Sequence, residues 1–374
     1  MSKQLTIILA AGGTGGHVYP SLATAEALST LGHHAILATD GRGNIYDGQI
    51  NKVLVSASSL RGGPIAKIKG VILIIRGVIQ ALALLRREKA DLVLGFGGFP
   101  SLPTIIAAKL LGCPIILHEQ NAVLGKANRI AAKFSRYIAT AFATVRFADP
   151  SRSVFIGNPV RSTIAAIGEL GYSAPSTNGP IRILIFGGSQ GAKILSKLIP
   201  TAVTLLPNEI RQRISIMQQC RPDDIAQVEA TYVNSSINAE VASFFNDMPE
   251  RLASAHIVIA RSGASTVAEL TASGRPSLLI PYAAAADDHQ TANAEALVAN
   301  GAAWLIAEHE ASTERLTETL KTLIQYPEKL EAAAAAARAA ARTEASIDLA
   351  HLVEFAAGIQ CIHSLQRVTG ERAL

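Results

Sequence analysis

The sequence predicts an α/β protein made of two doubly wound parallel-sheet domains of like topology. Three observations predict it. An apolar run leading through a glycine-rich loop into a helical pattern occurs twice, with Gly12 matching Gly187 at an offset of 175 residues. A strand–turn–helix–strand unit also occurs twice, with Gly112-Cys-Pro114 matching Gly274-Arg-Pro276 at an offset of 162. The chain of 374 residues has room for two or three domains of ordinary size. Two similar offsets from independent motif pairs mark paired domains, not a short-period solenoid.

Taken in order, Leu5–Ala10 is short and apolar, as a buried strand requires, and runs into Ala11-Gly-Gly-Thr-Gly-Gly-His17. A helical pattern covers Pro20 to Leu31 and stops at Gly32; His33–Thr39 reads as the next strand. Asp91–Leu94 is a strand, Gly95-Phe-Gly-Gly98 a turn, Thr104–Leu111 a helix and Ile115–Leu117 a strand. The second half repeats this: strand Ile181–Phe186, loop Gly187-Gly-Ser-Gln-Gly191, helix Ala192–Leu206 and a strand around Ile214–Met217. Then come strand Ile257–Ile259, turn Arg261-Ser-Gly-Ala264, helix Ser265–Ala272 and strand Ser277–Ile280. At both Gly-x-Pro sites glycine ends the helix and proline blocks its continuation. The boundary between domains falls near Gly157-Asn-Pro-Val-Arg161, followed by a surface loop over Gly168–Pro180. Glu331–Arg342 is alanine-rich and helical, and the tail from Thr343 follows suit.

Composition narrows the function. Apolar residues make up 49% and charged ones 17%, which excludes a disordered chain. Cys113, Cys220 and Cys361 lie far apart with no CxxC pair, which disfavours a disulfide framework or a cysteine zinc site and favours a reducing compartment. The N-terminal apolar run reads straight into a glycine loop, as a strand does and a cleaved signal does not. The net charge of +5 is unevenly spread: residues 1–160 carry 17 Lys/Arg against 7 Asp/Glu, the remainder 17 against 22. A basic front half points to an anionic partner for that half alone. No aromatic-basic groove suggests nucleic acid.

A strand–glycine loop–helix unit gathers backbone N–H groups and a helix N-terminus at one point, which favours phosphate. One such loop does no more than allow a tight turn about as often as it binds; two at matching positions favour binding between the domains. Neither is a Walker A loop. Gly13-Thr-Gly15 begins a dinucleotide fingerprint, but Val18 holds its third position; Asp40 stands where an NAD ribose acid would. An NAD-dependent oxidoreductase is therefore an alternative of second rank.

His17 opens a helix after the first loop, where it either orders that loop or acts as a base toward a hydroxyl. His118-Glu-Gln-Asn121 follows a buried strand and either lines a site or meets solvent. Ser262–Glu269 opens a helix whose hydroxyls and N–H groups suit a phosphate, while Glu269 suits sugar hydroxyls or merely the helix dipole. Asp287-Asp-His-Gln290 has no assembled ligand set, so a metal-free site is expected.

In order along the chain, Gly12-Gly-Thr-Gly-Gly-His17 with Pro20, Gly97-Gly-Phe-Pro-Ser101, His118-Glu-Gln-Asn121, Gly157-Asn-Pro-Val-Arg161, Gly187-Gly-Ser-Gln-Gly-Ala192, Arg261-Ser-Gly-Ala264 with Glu269, and Asp288-His-Gln290 resemble the MurG family. These are the bacterial N-acetylglucosaminyltransferases that convert lipid I to lipid II in peptidoglycan synthesis. The resemblance runs from about residue 5 to 300. Each motif alone is weak; the ordered set is specific.

The resemblance implies a GT-B fold, two Rossmann-like doubly wound domains facing a central cleft. Residues 1–160 would form the acceptor- and membrane-binding domain, joined by a C-terminal helix at about 345–374, and residues 161–344 the UDP-GlcNAc-binding domain. It implies UDP-GlcNAc as donor, undecaprenyl-pyrophosphoryl-MurNAc-pentapeptide as acceptor and an inverting displacement without metal or cofactor. It places the enzyme peripherally on the cytoplasmic face of the inner membrane, with other cell-wall synthesis proteins as a further class of partner.

Residue by residue, the resemblance puts Thr14, Gly15, Gly16, Asn121, Arg161 and Ser189 on the donor. Phe244-Phe-Asn-Asp-Met248 resembles the segment that packs the uracil, with Phe245 in place of the usual Ile. Ala264, Ser265, Thr266 and Glu269 would hold the diphosphate and ribose, Gln290 with His289 the GlcNAc. His17 is the implied base, and Arg261 with helix N-termini would meet charge on the leaving UDP. Phe99 replaces a usual Tyr and Ser265 a common Leu. Another GT-B sugar-nucleotide enzyme, such as a UDP-GlcNAc epimerase, and a non-catalytic nucleotide-sugar-binding membrane scaffold remain as alternatives.

Two stripes bear on the membrane. Lys69, Arg76, Gln80 and Arg87 form one narrow polar line on an otherwise apolar helix, and Val71–Leu85 falls short of the ~20 residues that span a bilayer. Lys126, Arg129, Lys133 and Arg136 recur at helical spacing as a basic face. A half-buried core helix and a solvated face explain these too, but with the basic front half they suit docking on anionic lipid.

Overall fold

The computed structural model describes residues 3–45, 50–58, 63–188 and 191–359, with the backbone alone at 45 and 64–67. The chain divides into two units: residues up to Arg161 with those from Arg342 on, and Ser162–Ala341. Each is a parallel sheet covered by helices.

The first unit runs β1 (Thr6–Ala10), α1 (Gly15–Thr30), β2 (His34–Thr39), β3 (Asn51–Leu54), α2 (Pro64–Arg87), β4 (Leu92–Gly95), α3 (Leu102–Leu111), β5 (Ile115–Glu119), α4 (Lys126–Ala131), β6 (Tyr137–Thr140) and β7 (Ser153–Phe155). Its sheet order is β3-β2-β1-β4-β5-β6-β7, all parallel, with Ile8 beside Ile36 on one side and Val93 on the other. Alternate residues of β1 serve opposite faces. Ile7 and Leu9 join one core, Ile8 and Ala10 the other, which is why the run is apolar throughout.

The second unit runs α5 (Ser162–Glu169), β8 (Ile181–Phe186), α6 (Lys193–Thr204), α7 (Asn208–Arg211), β9 (Ile214–Gln219), α8 (Ile225–Asn234), β10 (Asn238–Ala242), α9 (Met248–Ser254), β11 (Ile257–Ala260), α10 (Ala264–Ala272), β12 (Ser277–Leu279), α11 (His289–Ala299), β13 (Ala303–Leu305), α12 (Thr313–Gln325) and α13 (Pro327–Ala340). Its sheet order is β10-β9-β8-β11-β12-β13. The strand order reverses beside β1 in one sheet and beside β8 in the other, and loops after the strands at such switch points are where doubly wound folds bind ligands.

The chain then returns to the first unit as α14 (Ala345–Ala356). Leu349, Leu352 and Val353 enter the core beneath β1. The His33 imidazole meets Glu354 at 3.0 Å, and Arg136 donates to the Ala356 carbonyl at 3.2 Å.

Four expectations need correction. First, α1 starts at Gly15, ahead of Pro20, which lies inside it. Glycines are poor helix formers and proline is a good first residue, which draws a pattern-based start too late. Second, β5 continues through His118 and Glu119, both buried at 0% and 2% exposure, so these polar residues do not meet solvent. Third, α2 has 24 residues, and its stretch Ile68–Arg87 is long and apolar enough to cross a membrane by length and composition. It is nonetheless packed onto the unit: Ala81, Leu84 and Leu85 are buried, and Gln80 accepts from the Ser56 N–H at 2.8 Å. A Cβ on Gly77 would strike the Ser56 carbonyl, so glycine is what allows α2 so close. Fourth, the basic stripe does not share one helix, because α4 stops at Ala131, before Lys133 and Arg136.

Candidate functional site

In the first unit the loop after β1 is held from below by Asp40, at the end of β2. Its Oδ1 accepts from the N–H groups of Gly13 and Gly43, each at 3.0 Å, and its Oδ2 from Arg42 Nε at 3.0 Å. Gly13 has φ +88°, and a Cβ on Gly12 would sit 2.7 Å from that carboxylate. Asp40 is thus committed to shaping the loop, which removes the reading of it as a ribose acid. Thr14 precedes α1 in extended conformation, with no side-chain capping bond and no acid in the first turn. The N–H groups of Gly15 and Gly16 have no carbonyl one turn back to meet, and with the helix dipole they form an anion-seeking end.

His17 belongs to a chain of bonds whose direction is determined by backbone carbonyls. Gly157 O can only accept, so His118 Nε2, 2.9 Å away, carries the proton. His118 Nδ1 is then an acceptor and takes a bond from Gln120 Nε2 at 2.9 Å. That nitrogen also donates to His118 O at 3.1 Å, which orients the amide and turns Gln120 Oε1 toward His17. His17 Nδ1 donates to Oε1 at 3.0 Å. A neutral imidazole has one N–H, so the lone pair of His17 is on Nε2. Complete burial is the main reason His118 is held down to about 4, which keeps it neutral as the chain requires.

Glu119 gathers the next loop. Its Oε1 accepts from the Asn121 N–H (3.0 Å) and Asn121 Nδ2 (3.1 Å), its Oε2 from the Gly125 N–H (2.9 Å) and Asn128 Nδ2 (2.8 Å). Asn121 is thereby fixed beside Gln120. Arg161 ends the unit with its guanidinium 5.1 Å from the Tyr19 ring centroid.

In the second unit the turn after β11 leads into α10. Ala264, Ser265 and Thr266 make its first turn, with no acid there and no side-chain cap. The Ser265 hydroxyl is buried without a hydrogen-bond partner. Glu269 lies one turn on, four residues from Ser265, and so on the same side of the helix. Ser262 Oγ donates to Gln290 O at 2.7 Å and Asn293 Nδ2 to Ser262 O at 3.1 Å, which joins the starts of α10 and α11. Gln290 Oε1 accepts from the Tyr282 N–H at 3.0 Å, and His289 Nδ1 donates to Ala286 O at 2.8 Å. Asp287 and Asp288 both have φ 53°, a strained pair that aims this loop. Among the described residues no group of three His, Cys, Asp or Glu side chains converges as metal ligands do.

One placement differs from the sequence reading. Arg261 is 7% exposed and its Nη1 donates to Ile280 O, Pro281 O and Glu308 Oε2 at 2.9, 2.8 and 3.0 Å. Its charge is therefore already paired within the unit, and it fixes the loop after β12 instead of awaiting a leaving group. Phe245 is 4% exposed, with the Arg251 guanidinium 3.8 Å from its ring centroid, while its neighbour Phe244 is exposed. Ser189 lies outside the described residues. The structure brings together Thr14–His17, Gln120 and Asn121 within the first unit, and Ala264–Glu269, His289 and Gln290 within the second. Missed from the sequence are the orienting roles of Gln120 and Glu119. The signal was present in four consecutive polar residues, but direction of bonding needs coordinates.

Residues 7–140 match the glycosyltransferase family 28 N-terminal domain and residues 182–349 the glycosyltransferase family 28 C-terminal domain. The UDP-N-acetylglucosamine--N-acetylmuramyl-(pentapeptide) pyrophosphoryl-undecaprenol N-acetylglucosamine transferase of Paramagnetospirillum magneticum is 46% identical over 361 residues, 94% of this chain and 97% of its own. The transferase of the same name from Caulobacter vibrioides is 43% identical, over 93% of this chain and 98% of its own. The crystal structure of Acinetobacter baumannii MurG superposes with a TM-score of 0.76 at 29% identity, covering 94% of this chain and 99% of that one. An S. aureus MnaA–UDP co-structure shares the fold, with a TM-score of 0.69 at 13% identity.

Proposed function

The chain belongs to glycosyltransferase family 28 and within it to the MurG family, and we propose on that premise that it moves GlcNAc from UDP-GlcNAc to the 4-hydroxyl of MurNAc in undecaprenyl-pyrophosphoryl-MurNAc-pentapeptide, lipid I, to make lipid II. The observation that carries this is near-full-length identity of 46% with a transferase of that activity. The same family membership displaces the dehydrogenase, epimerase and scaffold readings. A transfer assay with UDP-GlcNAc, a lipid I analogue and EDTA tests it: UDP release must depend on the analogue, and release without it, or none at all, overturns the proposal.

In this reading the acceptor hydroxyl loses its proton to His17 Nε2 as its oxygen attacks the anomeric carbon. The bond from that carbon to the UDP oxygen breaks, and its electron pair stays on the diphosphate. The open N–H groups at the start of α10, with the Ser265 hydroxyl, receive that charge. Thr14, Gly15, Gly16, Asn121, Arg161 and Ser189 are assigned to the donor, Glu269 to the ribose hydroxyls, Gln290 and His289 to the sugar, and the backbone of Phe245 to the base. Glu269→Ala is expected to raise the donor KM by about ten- to a hundredfold, the worth of one or two charge-assisted hydrogen bonds, with kcat little changed. An unchanged KM would detach Glu269 from the donor.

Peripheral docking on the cytoplasmic leaflet rests on α2. Ile68, Val71, Ile72, Ile75 and Ile79, at helical spacing, are 45–62% exposed, flanked by exposed Lys69, Arg76, Arg86 and Arg87. The second basic cluster is a weaker lever, because Arg129 donates to Leu124 O and Arg136 to Ala356 O. Each exposed Ile contributes roughly 1–2 kcal/mol to insertion. Ile72→Glu with Ile79→Glu is therefore expected to weaken sedimentation with anionic vesicles at least tenfold, with an unchanged melting temperature. Unaltered sedimentation would exclude this face.

A further inference from the structure

At the edge where β8 and β11 begin, opposite the end from which α10 starts, the second unit holds a cavity of about 480 Å³. The loop before β8 forms one wall, with Ser173 and Ser176, and the end of α9 supplies Ser254; Arg182, His256 and Arg275 complete the polar lining. No carboxylate lines it. Arg275 is 3% exposed, with Nε on Leu252 O at 2.8 Å and Nη1 on Gly171 O at 3.2 Å. Arg182 Nε donates to Ser254 O at 2.6 Å. Among the described residues neither guanidinium has an ion-pair partner; for Arg275 this is unusual, since a buried charge ordinarily has one, while Arg182 is half-buried. Burial lowers Arg275, Tyr172, whose ring centroid lies 5.5 Å from the guanidinium, works against this, and the neighbouring Arg338 lowers it further, so a third cation adds to the same region. Glu331 acts on the Tyr172 hydroxyl instead.

His256 sharpens the point. Its Nδ1 accepts from the Arg182 backbone N–H at 3.1 Å, and its Nε2 lies 2.8 Å from Arg182 Nη2. A neutral imidazole has a single acceptor nitrogen, and the backbone N–H can only donate, so Nε2 carries its proton toward another donor. Burial, then Arg182 and Arg275, hold this histidine down to about 4, so it stays neutral. The His256 Nε2–H and the Arg182 guanidinium, both donors, therefore lie side by side at this edge of the cavity.

We propose that this cavity binds a small oxyanion of the phosphate class, either inorganic phosphate or the phosphoryl group of a small phosphomonoester, at a site separate from the donor's. It is the same ligand chemistry that a helix N-terminus takes, here met by two guanidiniums, an imidazole N–H and three serines.

The test is the melting temperature of the full chain with saturating UDP present, so that any phosphate site at α10 is already filled. Sodium phosphate and glycerol phosphate are titrated separately against sodium chloride at matched ionic strength. A saturable rise with either is expected, and the stronger of the two identifies the source. Arg182→Gln should weaken that binding at least tenfold. Should this variant fail to fold, the exposed Arg338→Gln should weaken it about threefold, with UDP affinity unchanged in both. No rise beyond chloride, or a rise equal in parent and variants, overturns the proposal. Neither readout depends on glycosyl transfer, so failure here and failure of the proposed activity are distinguishable.

Discussion

Replacing His17 by alanine is expected to slow GlcNAc transfer by about a hundred- to ten-thousandfold, the range that one well-placed general base contributes. The substitution removes no backbone N–H, so UDP-GlcNAc affinity should stay within about threefold. The geometry specifies more than the loss of a base. Nδ1 of His17 is tied at 3.0 Å to Gln120 Oε1, and the bonds beyond it end on carbonyls that cannot donate. The relay therefore imposes the tautomer with the lone pair on Nε2. Gln120→Leu leaves the base present but releases its orientation and tautomer. Its kcat should fall about tenfold, less than for His17→Ala, with the donor KM unmoved. Steady-state kinetics of UDP release, together with calorimetric UDP binding, separate these outcomes. Equal turnover of parent and His17→Ala would remove His17 from catalysis, and a raised KM with normal kcat would make it a binding residue.

The architecture is legible because its signals are local. The alternation of apolar runs with glycine loops marks β1 and β8, and the Gly-x-Pro closures mark the ends of α3 and α10, where Gly112 and Gly274 do adopt positive φ. The chemistry of the site is legible only as residue type. His17 and His118 look alike in sequence, yet one is half-buried beside a helix N-terminus and the other is fully buried and neutral. Arg261 looks like a ready counter-charge, but its partner Glu308 lies 47 residues away and no local pattern announces the pair. The basic stripe from Lys126 to Arg136 fits a helical period, but the helix ends at Ala131, and a turn through Phe134 leads the chain into β6. The Arg261 pair is a long-range contact that overrules a local pattern.

Glu119→Gln is expected to cost about 2–5 kcal/mol of stability and to lower the melting temperature by roughly 5–15 °C. The two side chains have the same shape, so packing does not enter. The carboxylate receives four N–H donors, two on each oxygen, from Asn121, Gly125 and Asn128. An amide has one oxygen, so whichever way it lies, two donors face its NH2 in a site where the residue is 2% exposed. Each buried donor left unsatisfied costs about 1–3 kcal/mol. Turning the amide only chooses which pair suffers. With the NH2 toward Gly125 and Asn128, the chain after β5 loosens; with it toward Asn121, that residue comes away from Gln120. In the second case the donor KM should rise along with the loss of stability, and the ratio of the two effects reports which orientation the glutamine takes. A melting temperature within about 2 °C of the parent would mean that the four donors do not depend on a second carboxylate oxygen, and Asn121 would then need another anchor.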